Sequence, residues 1–210
     1  MQQGQQGFTL IEIAIVLVVI GLLLGGILKG QEMITQGKIR SIEKELDGVA
    51  VAVLGYQDRY KALPGDDNGA KARWSDATDG DGDGSIEGNF NASEASAEPK
   101  ILWNHLRRSG LIGGDASSFD QPFNAVGGRT GIQTNLSDGT KTLVTGLVAC
   151  TTNLPAKIAN AIDAQQDDGN PGKGSILGFG QSAVNTPDFS TAIAAYVDDG
   201  STSYTLCKAI

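Results

Sequence analysis

Hydrophobic positions are spread very unevenly along the chain. From Phe8 to Leu28 the run FTLIEIAIVLVVIGLLLGGIL carries one charge, Glu12, and as a helix it spans about 30 Å, the thickness of a bilayer's hydrocarbon core. This predicts a membrane-spanning helix. Beyond Lys29 the continuous run becomes a stripe, in which Ile39, Ile42, Leu46, Val49, Val53, Tyr56, Tyr60 and Leu63 follow one another at helical spacing. Pro64 ends it, so the pattern predicts one helix of roughly fifty residues or more. Arg40, Glu43, Lys44 and Asp47 lie off the stripe. The second half is therefore expected to pack one face on a globular domain and expose the other. A coiled-coil dimer through the same stripe is the alternative, over fewer than about four heptads.

After Pro64 an irregular segment runs to about Glu98, too long for a simple connection. A short helix is expected from Pro99 to Ser109, with Ile101, Leu102, His105 and Leu106 on one face. Strand-like runs follow at Thr142 to Cys150, Gly174 to Gly180, Thr191 to Val197 and Tyr204 to Ala209, with a helix from Pro155 to about Gln165 between the first two. The fold class this implies is α+β: a long N-terminal helix packed against a small antiparallel sheet. Residues 8–28 and 29–63 read as the two helix halves, preceded by residues 1–7, and 64–210 as the globular domain.

A net charge of −8 and a pI near 4.6 argue against a nucleic-acid surface, since only Arg107 and Arg108 are adjacent bases. The two cysteines, Cys150 and Cys207, lie behind a membrane segment and read as one disulfide in an oxidising compartment. Closing so long a loop is worth roughly 4 kcal/mol in the chain-entropy model. One histidine, no zinc-ligand set and no G-x-S-x-G motif leave no catalytic constellation, so no enzyme is expected. His105 is expected as a packed or rim residue.

The apolar run is longer than a cleavable secretory signal and continues into Lys29-Gly30-Gln31. A plain anchor would explain its length but not Glu12, whose carboxylate costs on the order of 3 kcal/mol inside a bilayer. Gly7-Phe8-Thr9-Leu10-Ile11-Glu12 resembles the class III prepilin signal of type IV pilins and type II secretion pseudopilins. The resemblance implies cleavage by a prepilin peptidase between Gly7 and Phe8, N-methylation of Phe8, and Glu12 as the retained assembly acid. The physics agrees: cleavage creates an ammonium on Phe8, which the Glu12 of a neighbouring subunit can neutralise in a low-dielectric core. Met1 to Gly7 contains no Lys or Arg, whereas Lys29, Lys38 and Arg40 lie beyond the span. The positive-inside rule alone would orient that segment the wrong way for export, so either the true start lies upstream or the machinery reads another signal.

Asp79-Gly80-Asp81-Gly82-Asp83-Gly84-Ser85-Ile86-Glu87 places Asp at the first, third and fifth positions, Gly at the sixth and Ile at the eighth of an EF-hand-type calcium loop. Phe90 stands at the twelfth position, where a bidentate Glu belongs. A calcium ion held by Asp79, Asp81, Asp83, Ser85 and Glu87 would need Asp76, Glu94 or a distant residue to complete its shell; a solvated linker is the alternative. Ile162 to Pro171 resembles an Asp-rich turn of pilin-like proteins, whose acids either cap a helix and form a turn or hold a second cation.

The resemblance implies a filament subunit that starts in the inner membrane and ends in an extracytoplasmic pilus. Its partners would be further copies of itself, the prepilin peptidase and a pilus or secretion assembly platform. A head-to-tail stagger of apolar helices makes heterologous contacts that build open helices. Gly21, Gly25, Gly26 and Gly30 either weaken the helix locally or let helices approach closely. Within the family a C-terminal calcium site goes with secretion pseudopili and a C-terminal disulfide-closed region with pili, which favours a pilus, with the type II secretion pseudopilin as alternative.

Overall fold

The computed structural model describes residues 9–210. Helix α1 runs over Leu10–Tyr60, 51 residues without interruption. Thr9 opens it. At the other end Lys61 takes a positive φ of 59° and its N–H donates to the Gln57 carbonyl at 2.9 Å, closing the last turn ahead of Pro64.

The chain divides into two compact units, one up to Lys38 and one comprising Ile39–Ile210. The described residues of the first form the start of α1, apolar on every side from Leu10 to Leu28 apart from Glu12 and more polar from Lys29 on. Residues such as Leu10, Leu17, Leu22, Leu24 and Leu28 are exposed.

In the second unit the predicted stripe is the buried face of α1: Ile39, Ile42, Leu46, Val49, Val53 and Tyr56 are buried, with Ala52 beside them. They pack into one core with Leu102, Trp103 and Leu106 of α3 (Glu98–Arg108), with Ile158 and Ile162 of α4 (Ala156–Gln166), and with one face of a sheet. The expected helices around Pro99 and Pro155 thus form within a residue of their predicted bounds. Pro99 enters α3 in its first turn, where its missing N–H costs nothing.

The sheet has five antiparallel strands in the order β1-β2-β5-β3-β4, formed by Thr130–Ser137, Thr142–Pro155, Ile176–Ala183, Thr186–Ala192 and Ser203–Ala209. Alternation along β2 turns Ala149 to the helical core and Val148 and Cys150 to the other face. There Phe90, Leu136, Phe179 and the Cys150–Cys207 disulfide form a second, smaller cluster. Cys150 and Cys207 stand opposite each other on β2 and β5, both fully buried.

Three expectations need correction. β1 was not predicted. The strand expected over Thr191 to Val197 lies earlier, at Thr186–Ala192; it is an edge strand, where Pro187 leaves no interior ladder bond unmade. Residues 193–197 leave the sheet, and the Tyr196 hydroxyl donates instead to Asp163 of α4 at 2.6 Å. The long segment after Pro64 also contains a single helical turn, α2, over Ala70–Arg73.

Candidate functional site

The N-terminal candidate is built on the first turn of α1. Glu12 Oε2 accepts both the backbone N–H and the hydroxyl of Thr9 at 2.8 Å, and the Glu12 N–H donates back to Thr9 Oγ1 at 3.3 Å. This is a reciprocal capping box, satisfying donors that a helix start otherwise leaves bare. Glu12 therefore has a local task that the motif alone did not reveal. Gly7 and Phe8, the expected cleavage and methylation positions, lie outside the described residues. From Leu10 to Leu28 the side chains of Leu, Ile and Val are exposed, with nothing among the described residues of the first unit to cover them. An apolar surface of that extent requires either lipid or other protein.

The acidic loop is held by residues outside the predicted ligand set. Asp66, itself buried, accepts N–H bonds from Gly82 (2.7 Å), Asp83 (2.9 Å) and Gly84 (3.0 Å). Glu98 at the start of α3 accepts the Glu87 N–H at 2.8 Å and the Asp81 N–H at 3.4 Å. Burial first, with the Asp66 and Asp81 charges adding, holds the Glu98 carboxyl above its usual range against those two hydrogen bonds. Carboxylate oxygens of Asp81, Asp83 and Glu87 come within 4.8 Å of one another, and so do those of Asp66, Asp81 and Glu98. These two overlapping groups have the hard oxygen donors a divalent cation takes.

Asp79 joins neither group; its Oδ1 accepts the Lys71 N–H at 2.7 Å. Ser85 donates its N–H to Asp83 Oδ1 at 2.8 Å, a turn of the loop upon itself. Asp76 is held by the Arg108 guanidinium at 2.7 and 2.9 Å, and Glu94 accepts the Ser93 hydroxyl at 3.1 Å, so neither of these completes the group. Phe90, at the twelfth position, is buried against the sheet, its N–H donating to Gln133 Oε1 at 3.0 Å. A core residue has displaced the ligand there. Sequence spacing could not show Asp66 and Glu98, because the fold brings them to the loop from separate elements.

His105 is fully buried in α3. Its Nδ1 accepts the Gly65 N–H at 3.0 Å, and its Nε2 lies 2.8 Å from the Thr78 carbonyl, which fixes the Nε2–H tautomer. The ring stacks on Tyr56 with 5.9 Å between centroids. Burial lowers its pKa below the usual 6.5. It joins the end of α1 to α3 as a packed residue. Gly65 itself has φ of +96°, and a Cβ there would come within 2.6 Å of the Glu98 carbonyl. Beside it the buried Asp67 accepts the Tyr56 hydroxyl at 2.7 Å and pairs with Arg73.

In the Asp-rich turn after α4, oxygens of Asp163, Asp167 and Asp168 form a third group within 4.8 Å. Each already serves the fold: Asp163 accepts from Tyr196 and from the Gly169 N–H (3.1 Å), Asp167 from the Ile176 N–H (2.8 Å), and Asp168 from the Asn170 N–H (2.8 Å). Burial is the main cause that raises Asp163 above the ordinary carboxylate range.

Residues 2–28 match the family model for the prokaryotic N-terminal methylation motif, the class III signal peptide of type IV pilins and pseudopilins. That motif, ahead of an α+β unit, supports a protein of the pilin or pseudopilin type. With the apolar helix it fits an inner-membrane precursor assembled into an extracellular filament. No curated protein and no solved structure matches the chain.

Proposed function

We propose that the chain is a structural subunit of a type IV pilus or pilus-like filament, cut by prepilin peptidase between Gly7 and Phe8 and polymerised through its first helix. The observation that carries this is the uncovered apolar half of α1, which lies within the residues that match the methylation motif. Once lipid is left behind, other copies of the same helix are the natural cover, and a staggered, non-closing contact gives a filament. The new ammonium on Phe8 would then meet the Glu12 carboxylate of a neighbour, since an unpaired charge in such a core is costly. The buried disulfide near the C-terminus favours a pilus. The Asp163, Asp167 and Asp168 group, in the C-terminal third, is what speaks for the second reading, a type II secretion pseudopilin.

Calcium is part of the same proposal. Asp81, Asp83 and Glu87, with Glu98 and Asp66 behind them, would hold it, and its charge would relieve the mutual repulsion of carboxylates that form no ion pair among the described residues.

The test of assembly is electron microscopy of sheared surface material from cells producing wild type, Glu12→Gln or Glu12→Val. Ordered filaments from wild type and none from either variant are expected. Normal filaments from Glu12→Gln would contradict charge pairing; none from wild type would contradict the filament itself.

A further inference from the structure

Four segments of the unit from Ile39 onward meet around a cavity of about 540 Å³: the loop before β1, the end of β2, the end of β3 with the β3–β4 turn, and the approach to β5. Asn153, Gln181, Ser182, Ser201, Thr202 and Ser203 make its polar wall. Val126, Ala183 and Val184 make the apolar part, and Val184 is 75% exposed. Among the described residues that line it there is no ionisable side chain, although the chain holds 24 acids and 16 bases.

The wall is fixed in place. Asn153 and Asn185 both hold positive φ, 59° and 58°, the left-handed conformation asparagine takes at a bulge and in a tight turn. The Asn185 N–H donates to Asn153 Oδ1 at 3.0 Å, and Asn185 Oδ1 accepts the Thr152 hydroxyl at 2.6 Å and the Arg129 N–H at 3.0 Å. These bonds tie the β3–β4 turn to the end of β2. Gln181 Nε2 donates to Thr205 Oγ1 at 2.8 Å, and Asp199 accepts both the N–H and the hydroxyl of Thr202 at 2.7 Å. Little ordering remains to oppose binding.

We propose that this cavity binds a neutral carbohydrate. An anionic ligand would surrender hydration here without meeting a counter-charge, and the carboxylate that reaches the wall, Asp199, is already engaged by Thr202. Amide and hydroxyl side chains both donate and accept, which is what vicinal sugar hydroxyls require. The exposed Val184 offers a surface to the C–H face of a sugar ring. The cavity lies within the roughly 300–1,000 Å³ typical of ligand pockets. The site belongs to a single chain and does not depend on filament assembly.

The experiment is saturation-transfer NMR on the full chain in a phosphocholine detergent. The probes are maltotriose, mannotriose and chitotriose, with sialyllactose and trialanine as charged and peptidic comparators. Saturable binding of at least one neutral trisaccharide is expected, weakened by about tenfold or more in Ser201→Trp, which fills the cavity, and in Val184→Asp, which charges its rim. Both positions are exposed, so thermal unfolding should not change. No binding by any neutral probe, binding indifferent to both variants, or tighter binding of either comparator would overturn the proposal.

Discussion

Glu12 serves the first turn of its own helix, and the proposed function would give the same side chain a second task in assembly. Its carboxylate caps Thr9 within the chain, and glutamine could accept the same two bonds without carrying the charge. Comparing Gln with Val at this position therefore separates capping from charge. His105 gives a second prediction of this scale. Its Nδ1 accepts a hydrogen bond that a protonated ring cannot accept, and burial, with Arg73 and Arg108 nearby, opposes protonation while the Thr78 carbonyl and Asp79 favour it. The folded pKa is depressed below 6.5, so above that pH neither state is charged. Below it the unfolded chain takes up the proton first, and stability falls as pH drops toward the folded value. Melting temperatures measured from about pH 7.5 down to about pH 5.5 should decline more steeply in wild type than in His105→Gln. Equal slopes would show that His105 is not the group responsible.

Among the elements, the long helix was plain in the sequence because a 3.6-residue period survives any loop that follows it. Its buried face, Ile39 to Tyr56, is the predicted stripe. Strand β1 was hidden for a physical reason: Gly131, Gln133, Thr134 and Asn135 interrupt its apolar alternation, and a bulge at Asn135, with φ of 57°, breaks its register between Thr134 and Leu136. The acidic loop was legible as an Asp-Gly repeat with the spacing of a calcium loop, but the residues that hold it were not. Phe90 marks where the calcium-loop pattern yields to the core, and Asp66 and Glu98 enter only through tertiary structure. If the loop takes up calcium, a chelator should lower the melting temperature of wild type and have a much smaller effect on Asp81→Ala, the one residue common to both groups. Equal chelator sensitivity in the two proteins would place any ion elsewhere.

At the scale of the whole molecule, the disulfide joins the central strand of the sheet, β5, to its neighbour β2. It links residues 57 apart and lies in a cluster with Phe90 and Phe179. Replacing both cysteines by serine should cost about 2–5 kcal/mol in denaturant unfolding, because the unfolded chain regains the freedom of a long loop. A change within error would mean that the smaller cluster packs as well without the bridge. The α+β layout followed from the order of the periodic segments; the strand order, with β5 between β2 and β3, did not, since it depends on pairings made far apart in sequence.

The central claim is that the chain is cut behind Gly7 and exported into a filament, and it is tested most directly by the intact mass and N-terminal sequence of the protein recovered from sheared cell-surface material. The account predicts a chain beginning at N-methylated Phe8. An uncut chain beginning at Met1 and found only in the membrane would contradict it and leave the apolar helix a plain anchor.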